Sequence, residues 1–285
     1  MRTQFFTLFD QHIGTAFARQ LLFSKLLHVK EEPTINLQEG HVLFSNGQQY
    51  AIDILGTQLE DGTFLWAWAE ENQHIFPNPA FKAPFPSQCL AAALQLKQWA
   101  EQNHAELLHH PKIVLELSAI PLVPDELNGD HIACLAAGLQ NKAYWRDTHD
   151  EGVIYYLIQN TPDEANTPFT APHILESIEQ ITSYFQADNK IMVESFLQQQ
   201  GFTISWETKV NKEEKKPTLC QAHRGTEHIS ATFDDDGFLT EIEAHGFEGE
   251  GEYQEEQDLD FENIFDSWDE DSEFEDSEFP PKIKP

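Results

Sequence analysis

Apolar side chains recur every three or four positions near the N-terminus. Phe6, Phe9, Ile13, Phe17 and Leu21 form one stripe of a helix over Thr3–Val29. Such an amphipathic helix needs a domain to lie on, and Glu31-Glu32-Pro33 ends it. The period then falls to two. His41–Ser45 is apolar, Asn46-Gly47 is a strong hairpin signal, and Tyr50, Ile52 and Ile54 alternate on the return strand. Asp61-Gly62 makes the next turn, after which Phe64, Trp66 and Trp68 alternate with Leu65, Ala67 and Ala69. The spacing predicts three antiparallel strands with one aromatic face.

The proline-rich stretch Asn72–Pro86 reads as a loop. Ser87 is the expected cap of a helix whose stripe is Cys89, Ala93, Leu96 and Ala100. Lys112–Leu117 reads as a short strand. Asp130 is the expected cap of a helix carrying Ile132, Leu135, Ala136 and Leu139, and Val153–Ile158 reads as a buried strand. Asn160–Pro168, with two prolines and two acids, is the best domain boundary. Beyond it, Ile174, Ile178, Ile181 and Phe185 mark one helix. A second starts at Asp188, carries Ile191, Met192 and Phe196, and stops at Gly201. Phe202, Ile204 and Trp206, then a charged turn Asn211–Pro217, then Ile229, Ala231 and Phe233, and finally Phe238, Thr240 and Ile242 complete a meander. The expected fold class is α+β: antiparallel β-meanders packed with helices in two small domains, 1–159 and 160–246, followed by a disordered tail, 247–285.

Several of these residues carry a family resemblance. Leu55-Gly56, Asp61-Gly62 and Phe64-Leu65-Trp66-Ala67-Trp68-Ala69, then Leu135-Ala136-Ala137, Lys142-Ala143-Tyr144-Trp145-Arg146 and Val153–Ile158, resemble the signature of an uncharacterised bacterial family, domain of unknown function 6882. The resemblance covers roughly residues 3–158. It implies the fold of that segment and a bacterial origin, and it brings no catalytic residues.

Charge changes the picture most at the C-terminus. Gly246–Pro285 holds 16 of the 49 acidic residues and 2 of the 17 basic ones, a local charge of −14 out of −32. Large apolar residues, Phe261, Phe265, Trp268, Phe274 and Phe279 among them, sit between the carboxylates. Like charge at this density opposes independent folding, whereas the spaced aromatics suit coupled binding to a basic, partly apolar groove. A field of this sign repels phosphate backbones, so nucleic acid is not an expected ligand. Three scattered cysteines fit a reducing compartment. Asp10 and His12 break any secretory h-region, and no apolar run spans a membrane. A cytoplasmic protein is the expectation.

No nucleophile elbow, phosphate loop or HExxH motif marks a reaction. Thr232–Glu243 matches a calcium loop at Asp234, Asp236, Gly237 and Glu243. Thr232 supplies no carboxylate at the first position, and the flanks alternate like strands, so a hairpin is expected. Cys220, His223 and His228 suggest zinc, but on a single strand His223 would face away from the other two. No metal or cofactor is expected. Trp66, Trp68, Trp145 and Arg146 could line a ligand pocket, the competing expectation being an aromatic core. The leading functional expectation is a non-enzymatic acidic protein that binds a basic protein partner, in its sharpest form a toxin-neutralising immunity-type protein. The alternatives are a small-molecule or enzymatic domain at the Trp66/Trp68/Arg146 region, and a housekeeping adaptor.

Overall fold

The computed structural model describes residues 2–27, 33–70, 85–114, 127–149, 152–166, 168–208 and 218–246. In chain order, α1 (Arg2–Leu27) leads to β1 (Thr34–Asn36), β2 (His41–Leu43), β3 (Gln49–Leu59) and β4 (Thr63–Trp66). Then come α2 (Ala91–Gln102), a short α3 (Glu106–His109), β5 (Lys112–Val114), α4 (Gly129–Gln140), β6 (Ala143–His149) and β7 (Gly152–Ile158). The C-terminal part contains α5 (Ala171–Tyr184), α6 (Asn189–Gln199), β8 (Thr203–Thr208), β9 (Thr218–Arg224), β10 (Glu227–Phe233) and β11 (Leu239–His245). The architecture is α+β, with helices packed on two antiparallel sheets. The tail residues Phe261, Phe265, Trp268, Phe274 and Phe279, and the turn Asn211–Pro217, lie outside the described residues.

The first sheet runs β6-β7-β3-β4-β5, and β2 and β1 extend it alongside the start of β3. The long strand β3 offers one edge to β7 and divides the other between β2 and β4. A register shift between Ile54 and Gly56 changes which residues face each side. All four residues of β4 are buried, so the aromatic strand is covered on both faces, not the one face expected of a meander. The strand also ends at Trp66, leaving Trp68 in the following turn.

Helix α1 is more enclosed than its apolar stripe implies. Every residue from 13 to 21 is buried, including Thr15, Arg19 and Gln20. It packs against α4, α5 and α6 together. Small residues permit this: a Cβ on Gly14 would lie 2.5 Å from the Phe196 side chain of α6, and one on Gly138 of α4 would lie 2.9 Å from the His12 carbonyl oxygen. Met1–Glu248 form one compact unit.

The capping groups differ from those read in the sequence. Helix α2 begins at Ala91 with no side-chain cap from its own N-cap residue. Ser87 opens a separate 3-10 turn, and the buried Asp53 of β3 accepts from Ala92 N (3.0 Å) and from Gln159 Nε2 (2.6 Å). Helix α4 is capped by Asn128 in a capping box with His131, while Gln58 of β3 accepts from Gly129 N at 2.6 Å. Asp130 in its first turn faces the sheet instead. At α2 a strand carboxylate reaches the helix start, and at α4 the first-turn carboxylate turns to donors on the sheet. Asp188 does cap α6, accepting from Lys190 N and Ile191 N at 3.1 Å.

Asp10 on α1 accepts from Asp188 N at 3.2 Å. Burial, opposed by that hydrogen bond, raises its pKa to about 7. The folded pKa thus exceeds the ordinary carboxylate value, so the folded state binds the proton more tightly. The associated stability is complete at acid pH and lost as pH rises through about 7. From pH 8 to pH 5 the wild type should gain on the order of 2 kcal/mol relative to Asp10→Asn. Urea midpoints of both proteins at the two pH values check this, and parallel pH profiles would refute it.

Candidate functional site

The four residues expected to share a pocket are distributed over two faces of the first sheet. Trp66 pairs with Gly56, Gly56 with Tyr155, and Tyr155 with Arg146, so Trp66 and Arg146 share one face. Trp145, adjacent to Arg146, points to the other face and meets Phe44 edge-on at 5.1 Å. Trp68 lies under Lys97, whose Nζ is 4.1 Å from the ring centroid. Trp66 has no exposed surface and packs edge-to-face with Phe64 at 5.2 Å. Gly56 makes room, because a Cβ there would meet the Phe64 ring at 2.6 Å.

Arg146 meets the buried Asp130. Its Nη1 donates to Asp130 Oδ2 at 3.0 Å, and the Tyr155 and Tyr144 hydroxyls approach the same carboxylate at 3.4 and 3.5 Å. Burial raises the Asp130 pKa, and the adjacent guanidinium and hydroxyls oppose that shift. Burial, reinforced by the Asp130 charge, raises both tyrosines. One guanidinium and two hydroxyls thus converge on a single buried carboxylate.

A different group of residues lines open space. A cleft of about 420 Å³ lies among α1 (His12, Thr15, Arg19), the end of α4 (Gly138, Leu139, Asn141), Asn166, Pro168 and Phe169, and the end of α6 (Gln199, Gln200). Arg19 is 6 % exposed, and only its Nη2 has a partner among the described residues, Asn141 Oδ1 at 3.5 Å. Burial lowers the pKa of both Arg19 and His12. The C-terminal ends of α4 and α6 border the cleft, and their dipoles favour the cation without occupying its N–H groups. Asn141 holds its position in the left-handed conformation, φ 54°, as the C-cap of α4. Sequence reasoning missed Arg19 because it lies off the apolar stripe of α1, where a charged residue is expected to face solvent. A cation between Ala18 and Gln20 was the available signal.

The second sheet, β11-β10-β9-β8, packs one face on α5 and α6 and leaves the other open. His223 of β9 pairs with His228 of β10, which pairs with His245 of β11. The rings stack at 4.4 and 6.3 Å. The single-strand reading placed His223 and His228 on opposite faces; the turn at Gly225-Thr226 resets that parity and brings them together. Burial, then its two neighbours, lowers the His228 pKa. Cys220 is on the covered face, with its thiol pushed up to about 12 by burial. No cluster of three or more His, Cys, Asp or Glu among the described residues is arranged to hold a metal. At Asp234–Phe238 the chain makes a hairpin turn, with Asp234 Oδ1 accepting from the backbone of Asp236 and Phe238.

The model of the family of unknown function DUF6882 matches residues 7–161, more than half of the chain. The chain belongs to that family. The DUF6882 segment comprises most of α1, the whole first sheet and α2 to α4, and so includes the Asp130 network and the Arg19 side of the cleft. The opposite wall, from Asn166 to Gln200, lies beyond it. No curated protein and no solved structure is significantly similar to the chain.

Proposed function

We propose that this protein works by binding: it presents an acidic surface to a basic protein partner, and in the sharpest form neutralises a basic toxin as an immunity-type protein in the cytoplasm. The observation that carries this reading is the open face of the second sheet. Glu207, Glu241 and Glu243 stand on it beside the histidine row, and no lysine or arginine does among the described residues. Strand β11 leads directly into the stretch Gly246–Pro285, which adds a charge of −14. Charge concentrated in this way steers a cationic partner and raises its association rate. Phe261, Phe265, Trp268, Phe274 and Phe279 offer anchors that charge alone does not supply. No helix among the described residues is long and apolar enough to cross a membrane, which agrees with a partner met in solution.

The test is capture on the immobilised full-length protein followed by a salt gradient. Basic proteins should be retained and released between roughly 0.15 and 0.5 M salt, as the Debye length falls below ~8 Å. Retention of mainly neutral or acidic proteins, insensitive to salt, would refute the reading.

A further inference from the structure

The two sheets treat their boundaries differently. In the first, β1 and β5 are only three residues long, and the edge of β6 is covered, with Tyr144 N donating to the Gln20 side chain of α1 at 3.0 Å. Short or covered edges protect a sheet from pairing with another chain. In the second sheet β8 and β11 are the outer strands, and among the described residues β11 pairs with β10 alone. The shift in pairing beside Thr232 and Phe233 leaves Thr240 without an opposite residue, so the regular edge is residues 241–245. No proline or lysine interrupts that edge. Its cover is also incomplete. Ile242 and Ala244 lie opposite the buried Ala231 and Ile229 on the helix side of the sheet, yet both are only half-buried.

We infer that a basic partner docks by adding an extended segment to the β11 edge, with lysine or arginine at alternate positions beside Glu241 and Glu243. Apolar residues between those cations complete the cover of Ile242 and Ala244. The inference rests on the binding reading proposed above and names its mode. Main-chain hydrogen bonds supply the affinity and the alternation supplies the specificity. Side chains opposed on neighbouring strands stand about 5 Å apart, so each carboxylate is within reach of a cation. Charge selects the occupant. A second copy pairing antiparallel would bring its own Glu241 and Glu243 to the same face, like charge against like. Charge also selects the edge. Strand β8 carries one carboxylate on the open face, Glu207, and runs into residues 209–217, which hold four lysines and two glutamates. Strand β11 carries two and runs into the stretch of charge −14. Phe238, 64 % exposed just ahead of β11, offers an apolar contact to one end of the segment.

The probe is the blocked peptide Thr-Lys-Val-Lys-Val-Lys-Thr. Its control bears N-methyl groups on two adjacent central residues, which keeps the charge and removes main-chain donors along both edges. Isothermal titration on the full chain should give a Kd near ~0.1 mM for the probe and about tenfold weaker or more for the control. Amide exchange should slow at residues 241–245 on adding the probe and stay unchanged in β8, a readout that requires no variant to fold. Glu241→Lys/Glu243→Lys alters two exposed positions. It should keep the wild-type melting temperature and weaken the probe by about tenfold or more. Equal affinity for probe and control would mean charge attraction without strand addition, and would overturn the inference. Protection at β8 instead of β11, unchanged affinity in the double variant, or dimerisation of the full chain through β11 would also overturn it. A probe that does not bind, to a protein that still retains basic proteins when immobilised, would overturn the docking mode and leave the binding reading standing. Loss of that retention as well would overturn both.

Discussion

Truncating Trp66 to alanine should lower the unfolding free energy by about 3–5 kcal/mol, the usual cost of removing a fully buried aromatic from a packed core. The ring has no exposed surface, meets Phe64 at 5.2 Å, and shares its cross-strand row with Gly56 and Tyr155. The covering elements cannot collapse easily into the vacated volume, because β4 is buried on both faces. Trp66→Phe should cost much less, since it keeps most of the apolar contact. Urea denaturation of the three proteins measures the difference. A Trp66→Ala protein of unchanged stability that had lost affinity for a small molecule would restore the aromatic pocket in place of the core.

An effect of similar size is expected at Asp130. Removing one partner of a buried ion pair typically costs about 3–5 kcal/mol. Asp130→Ala takes away the carboxylate on which Arg146, Tyr155 and Tyr144 converge. Asp130→Asn keeps the shape and a hydrogen-bond acceptor, and should lose a smaller part of that stability. The double variant Asp130→Leu/Arg146→Met should recover much of the loss, because paired replacement of a buried ion pair by apolar groups is often neutral. A double variant no more stable than Asp130→Ala would show that the network does more than satisfy its own charges.

These two positions show what the sequence makes legible. The alternation around Trp66 and the hairpin signal Asn46-Gly47 are local, and they correctly announce β2, β3 and β4. The stripes of α5 and α6, and the cap at Asp188, are equally local. Strand β6 is different: Ala143–His149 has no clean alternation, and it becomes a strand by pairing along its whole length with the apolar β7. Asp130 looks like a helix cap because caps are read from neighbours in sequence, whereas its partner Arg146 lies across the sheet. Trp145 and Arg146 look like one site because they are adjacent, and the pleat separates them. The Arg19 cleft depends on the approach of α4 and α6 to α1, which lies more than a hundred residues from both in the chain. Periodicity carries no information about such a meeting.

The most direct measurement of the central claim uses a basic protein recovered by capture. Its association rate is followed by stopped flow with the full-length protein and with a chain lacking residues 250–285. At about 0.05 M salt the full-length protein should associate about tenfold faster or more, and the two rates should converge near 1 M, where the Debye length is only ~3 Å. Both proteins should unfold at the same urea concentration up to residue 246, so the difference is one of capture and not of folding. Equal association rates at low salt would contradict the account, leaving the acidic stretch with no part in recognising a partner.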